Sequence, residues 1–158
     1  MPVDIHVTVE AGDWPDQAAL EALAARAVAA ATDEIGAGII PPDAELGISF
    51  TDDAHMRRLN AEWRSKDTPT NVLSFPSLPV RRGAILPALL GDIVLAAETV
   101  SAEAAEEAKP LDHHIAHLLV HGFLHLAGYD HESDEDAENM EAAERRALAT
   151  LAIPDPYA

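Results

Sequence analysis

The chain has no cysteine among its 158 residues. Disulfides and thiolate ligands are excluded, so any bound metal must be held by histidine and carboxylate. No apolar run approaches the roughly 18 residues of a membrane span, and the N-terminus lacks the basic-then-apolar layout of a signal peptide. The expected compartment is the cytoplasm. Positive charge is scarce as well: ten Lys and Arg face 28 Asp and Glu, a formal net charge of −18. Such an excess ordinarily argues against a nucleic-acid partner. What is present is ordinary globular composition, with 48% apolar residues against 24% charged, which excludes a disordered chain. Alanine supplies much of the apolar share, so helices should dominate. The length fits one domain, residues 1–158, with a single core.

The few cations are not evenly spread. Arg57, Arg58, Arg64, Lys66, Arg81 and Arg82 are six of the ten, and only Glu62 and Asp67 oppose them in that span, a local excess of +4. A solvated scatter of arginines is the plain reading; a phosphate-facing surface is the functional one.

Asp4 to Val9 alternates apolar and polar residues and predicts a half-buried strand. Asp13 can cap a helix from about Trp14 to Ile35, ended by Gly36. Glu45 to Phe50 is a second strand, and Thr51 or Asp52 then caps a short helix carrying Met56, Leu59 and Trp63. Asn71 to Phe75 is a short strand, and Pro76 to Pro87 reads as a mobile surface loop. Leu89 to Ala96 is a fairly apolar fourth strand with the character of a central one. Helices are expected from Ser101 to Ala108, from Pro110 to about Ala127, and from about Ser133 to Leu151. The last carries seven acids from Glu132 to Glu144, mostly as a solvated face. The class is α+β with a mixed sheet of about four strands.

The chemistry concentrates in the stretch from His117 to His131. His121 and His125 are one helical turn apart on one face and can reach one ion. Gly128 tolerates the positive φ of a helix end, and His131 follows where a returning strand could supply a third nitrogen. Three neutral imidazoles with an open position describe a catalytic rather than a structural zinc site. A row of histidines (His113, His117, His121, His125) can also be a mere polar stripe. The deep apolar setting of His121 and His125, with Gly128 and His131 beyond them, favours that pair as ligands. His117 then belongs to the cleft wall or behind a ligand, and His113 and His114 to the surface. Asp130 is placed to orient an imidazole or to cap the turn. Metzincin proteases share the spacing but carry Glu after the first His as general base; here that residue is Gly122, which opposes peptide hydrolysis.

With these residues in view, the chain resembles the YbeY family of bacterial zinc-dependent endoribonucleases. The likeness rests on His117 to Glu132, on Leu59-Asn60, Trp63-Arg64, Asp67 and Pro69 to Pro76, and on Leu90 to Ile93, and it spans nearly the whole chain. It implies one zinc per chain on His121, His125 and His131, and a functionally important Arg64. Asn71 stands where the family commonly has aspartate, which keeps an oxygen but removes a charge, so it is not assigned as a base. The resemblance further implies cleavage of single-stranded RNA, maturation of ribosomal RNA (the small-subunit 3′ end above all), ribosome quality control, and ribosomal proteins as partners; no DNA or membrane partner is expected. The basic span from Arg57 to Arg82 would line one cleft wall opposite the metal. Two alternatives stay open: a ribosome-assembly factor with a structural zinc, and a metal-dependent peptidase.

Overall fold

The computed structural model describes residues 3–158. In chain order these form β1 (Asp4–Val9), α1 (Gln17–Ile35), a 3-10 turn (Ala37–Ile39), β2 (Glu45–Thr51), α2 (Asp53–Arg64), β3 (Val72–Pro76), β4 (Leu89–Ala96), α3 (Ala97–Glu106), α4 (Leu111–Leu126) and α5 (Asp134–Thr150). The sheet order is β1-β2-β4-β3, with β1, β2 and β4 parallel and β3 antiparallel to β4. This is the expected four-stranded mixed α+β architecture, with β4 inside the sheet.

Alternation along the strands decides which helices cover which face. Leu46, Ile48 and Phe50 of β2 and Ile93 and Leu95 of β4 point into the larger core with Leu20, Leu23, Ile115, Leu119, Phe123 and Leu148 from α1, α4 and α5. The opposite face presents Leu73, Phe75, Val94 and Ala96 to Met56 and Leu59 of α2. At the open edge, Ala96 N donates to Asn71 O (3.0 Å) and Ser77 N to Leu90 O (3.4 Å). That fixes the phase of the antiparallel ladder: residues 71, 73, 75 and 77 bond inward, while Val72, Ser74 and Pro76 turn their main-chain groups outward. Pro76 falls where proline removes no ladder bond.

Several boundaries differ from the sequence reading. Asp16, not Asp13, caps α1, accepting from Ala19 N at 2.8 Å, and the helix starts at Gln17. Trp14 instead donates its indole N–H to Ala11 O and Thr51 O and meets Phe50 edge-on. Helix α3 starts four residues earlier than Ser101 because its first turn is held from outside: Asp53 accepts from Thr99 N, and Glu98 accepts from Asp53 N. The segment from Pro76 to Pro87 is irregular but anchored. Leu86 is buried and donates its N–H to Ile39 O (2.8 Å), and Val80 to Arg82 pack against Gly128.

Candidate metal centre

At Gly122, helix α4 packs directly on side chains of β3 and β4. A Cβ built there would meet Ile93 Cγ2 at 2.9 Å and Ser74 Oγ at 3.1 Å, and Ser74 Oγ donates to Gly122 O (3.0 Å). The position after the first histidine thus faces the sheet and not the cavity. A glutamate here would force the Ile93 and Ser74 side chains to shift.

His121 and His125 project from the same helix toward the edge of β3. The helix then ends in a tight reversal, with Tyr129 N bonded to Leu124 O (3.0 Å) and Gly128 at φ +95°. The reversal brings His131 back on a loop, not on a strand as the sequence suggested. One nitrogen from each of His121, His125 and His131 lies within 4.8 Å of the others. The ring of His125 is 4.6 Å from that of His121 and 5.1 Å from that of His131.

The outer contacts settle which nitrogens face inward. His125 Nδ1 sits 3.0 Å from Tyr129 O, a pure acceptor, so it carries the proton. His121 Nδ1 sits 3.0 Å from Glu144 Oε2 and donates to it. Both Nε2 atoms therefore present lone pairs, and these face each other at 3.1 Å. Two lone pairs at that distance repel unless a cation lies between them, so the donor set fits a metal ion. Burial, with the neighbouring His121 and His131 charges, holds His125 down at about 4, so its imidazole is neutral at pH 7.

Glu144 is the group that sequence reasoning missed. It sits among the acids of a helix expected to be largely solvated, yet it is only 1% exposed. Its Oε1 accepts from His117 Nε2 and from the Tyr157 hydroxyl, each at 2.6 Å, and its Oε2 accepts from His121. Burial pushes this carboxyl up, but the hydrogen bonds from His117 and His121 outweigh it and hold the group at about 2. Burial and the same carboxylate raise the Tyr157 hydroxyl well above its ordinary range. His117 accordingly stands behind His121, joined to it through the Glu144 carboxylate. Asp130 orients no imidazole; its carboxylate caps the turn through Glu132 N (3.3 Å). Neither is His114 at the surface: it is 4% exposed, with Nε2 2.8 Å from Glu103 Oε1. Asn71 Nδ2 donates to the same oxygen at 3.0 Å, so the amide suits a site where an aspartate would face a carboxylate.

The three histidines open into a cavity of about 540 Å³. Arg64, Asn71, Val72, Ser74, Val80 and Tyr129 are among its walls. Of the six cations expected on one wall, Arg64 alone lines it. Arg57 makes a two-pronged pair with Asp67 (2.7 and 2.9 Å), and Arg82 lies over the Tyr129 ring, 5.4 Å from its centre. The basic span is thus divided among three local tasks and does not form a continuous wall.

The scaffold and site define a class: an α+β protein with three histidines placed to share one metal ion beside a sheet edge. The family model described as Endoribonuclease YbeY matches residues 7–152, and the chain belongs to that family. It is 52% identical to the endoribonuclease YbeY of Rhizobium meliloti over 159 residues, covering 98% of this chain and 95% of that protein. It is 54% identical to that of Rhodopseudomonas palustris over 154 residues, covering 97% and 80%. Among solved structures, the solution structure of TM1509 from Thermotoga maritima matches with a TM-score of 0.58 at 25% identity, covering 94% of this chain and 91% of that one.

Proposed function

We propose that this chain is a zinc-dependent endoribonuclease that cleaves single-stranded RNA, with His121, His125 and His131 as the ligands and Arg64 on the reacting phosphate. The observation that carries this reading is the convergence of the three imidazoles and Arg64 on one open cavity. Its biological setting is ribosomal RNA maturation at the small-subunit 3′ end and ribosome quality control, in the cytoplasm, with ribosomal proteins as partners. The names of the relatives support the ribonuclease activity. No helix among the described residues is long and apolar enough to cross a membrane, and the −18 charge leaves acidic faces suited to basic ribosomal proteins.

A zinc ion held by these histidines would supply Lewis acidity toward a phosphoryl oxygen or lower the pKa of a water to roughly 7. The protein's own groups do the rest. Glu144 and the Tyr129 carbonyl keep His121 and His125 protonated on Nδ1, so that Nε2 is free. Arg64 offers a planar pair of donors to the phosphate and to charge developing on it. Asn71 donates to Glu103 and carries no charge of its own, so it serves as a wall rather than a base. A peptidase would need a carboxylate after His121; this chain has Gly122 there, where any side chain would crowd Ile93 and Ser74.

The test compares wild type, His121→Ala and Arg64→Ala on single-stranded RNA and on casein, with and without chelator. Chelator-sensitive RNA cleavage, lost in both variants, is the expected result. Equal residual cleavage in every sample would mean a contaminating nuclease and would end the proposal. Zinc binding without any cleavage would favour the assembly factor.

A further inference from the structure

The edge strand β3 forms part of the cavity wall. Val72 and Ser74 line it, and the phase of the β3–β4 ladder turns their N–H and C=O groups away from β4. Neither N–H finds another partner among the described residues. The two donors lie two residues apart on one edge, roughly 7 Å. The next outward position is Pro76, which has no N–H to offer. An added protein strand would need the alternation of donor and acceptor to continue, and Pro76 breaks it at that point. A ligand that supplies only acceptors at a regular repeat has no such requirement. The phosphodiester backbone of a single-stranded nucleic acid is that kind of ligand.

We infer that the outer edge of β3 is a phosphate rail: the main-chain N–H groups of Val72 and Ser74 bind successive phosphates of the RNA strand and lay it across the three histidines. This rests on the RNA-cleaving role proposed above and adds to it the residues that align the strand. Two features of the site agree. Arg64 lines the same cavity as β3 and brings positive charge to it. The Ser74 side chain is already committed to Gly122 O, so its N–H, not its hydroxyl, is the group free for the ligand. Because amide donors read phosphate and not base edges, the rail aligns RNA without selecting sequence. It also explains how so acidic a protein can hold a polyanion with few cations at the cavity: neutral donors on a rigid edge replace them.

Val72→Pro deletes one outward N–H and no ladder bond. The zinc-loaded protein is titrated against a short fluorescent single-stranded RNA, and zinc content and thermal melting are recorded alongside. The expected result is about tenfold weaker RNA binding in Val72→Pro, the range of one hydrogen bond to a charged group, with zinc content unchanged. In a second arm, neutral methylphosphonate linkages are placed one at a time along the RNA and bound to wild type, which stands even if the proline variant does not fold. One or two adjacent linkages should each weaken binding by about tenfold, and the loss at the matching linkage should vanish in Val72→Pro. Equal binding by wild type and the variant, or a small uniform loss at every linkage, overturns the rail while leaving the ribonuclease reading intact. Wild type that neither binds nor cleaves RNA overturns both. Displacement of the RNA by a neutral extended peptide, abolished in Val72→Pro, would reassign the edge to strand addition and overturn the proposal.

Discussion

Replacing Glu144 with glutamine changes one atom and should reset the tautomer of His121, a proposed metal ligand. The carboxylate accepts three donors: His117 Nε2 and the Tyr157 hydroxyl on Oε1, and His121 Nδ1 on Oε2. A glutamine has one acceptor oxygen. Placed where Oε1 stands, it keeps two of the three bonds and turns its NH₂ toward His121. His121 must then accept on Nδ1 and carry its proton on Nε2, the nitrogen that faces the metal. Loss of an outer partner of this kind typically costs 10- to 100-fold in metal affinity, and the upper end is expected because the tautomer itself is wrong. Stability should fall too. The Glu144 carboxyl is held at about 2 against an ordinary 4.5, a difference worth about 3 kcal/mol at pH 7 as an upper figure. Competition against a chromophoric chelator measures the affinity, and denaturant unfolding of the metal-free protein measures the stability. Zinc affinity equal to wild type in a folded Glu144→Gln protein would refute the tautomer argument outright.

The metal-free protein should also lose stability as pH falls from about 6.5 to 4. His125 has its folded pKa held near 4, so the unfolded chain binds the extra proton over that window; the loss is at most about 3 kcal/mol, read from urea unfolding at several pH values. Elemental analysis should find about one zinc per chain, removed by His125→Ala and kept by His113→Ala; full retention by the former would mean the wrong pair had been chosen. Arg64→Ala should lower kcat by roughly 10²- to 10³-fold with a smaller effect on RNA affinity, as for loss of a transition-state donor, measured by single-turnover cleavage. Gly128→Ala should destabilise by about 2 kcal/mol or more, since φ is +95° and a Cβ would come within 2.6 Å of Arg82 N; calorimetry decides.

What could be read from the sequence followed from local periodicity. The β4 limits, the sheet class and the His121–His125–His131 grouping all depend on residues close in the chain, where spacing translates directly into geometry. Misplaced features depended on distant partners. Asp13 and Asp16 look alike as caps, and only the docking of Trp14 on Phe50 separates them. The start of α3 is set by Asp53, more than forty residues away. Glu144 looks like its acidic neighbours on α5, and nothing nearby announces that His117, His121 and Tyr157 converge on it. A usable signal did exist: Met140, Ala143, Ala147 and Leu148 mark the buried stripe of α5, and Glu144 falls inside it. The basic span misled for the same reason, because Arg57 and Arg82 found partners in Asp67 and Tyr129 that charge counting cannot foresee.

All three histidines come from one short stretch, His121 to His131, whereas the groups that orient them reach to Glu144 and Tyr157. An unfolded chain therefore keeps the ligands together and loses only their alignment. On the proposed ligand set, such a chain is expected to keep part of its affinity for metal, through the i, i+4 pair above all. The melting temperature should then rise less with added zinc than the native dissociation constant alone would give, because mass action also favours the unfolded form. On the proposed ligand set, the same locality would allow an emerging polypeptide to bind an ion before α5 exists. Only with α5 and Tyr157 in place does Glu144 fix the orientation of His121.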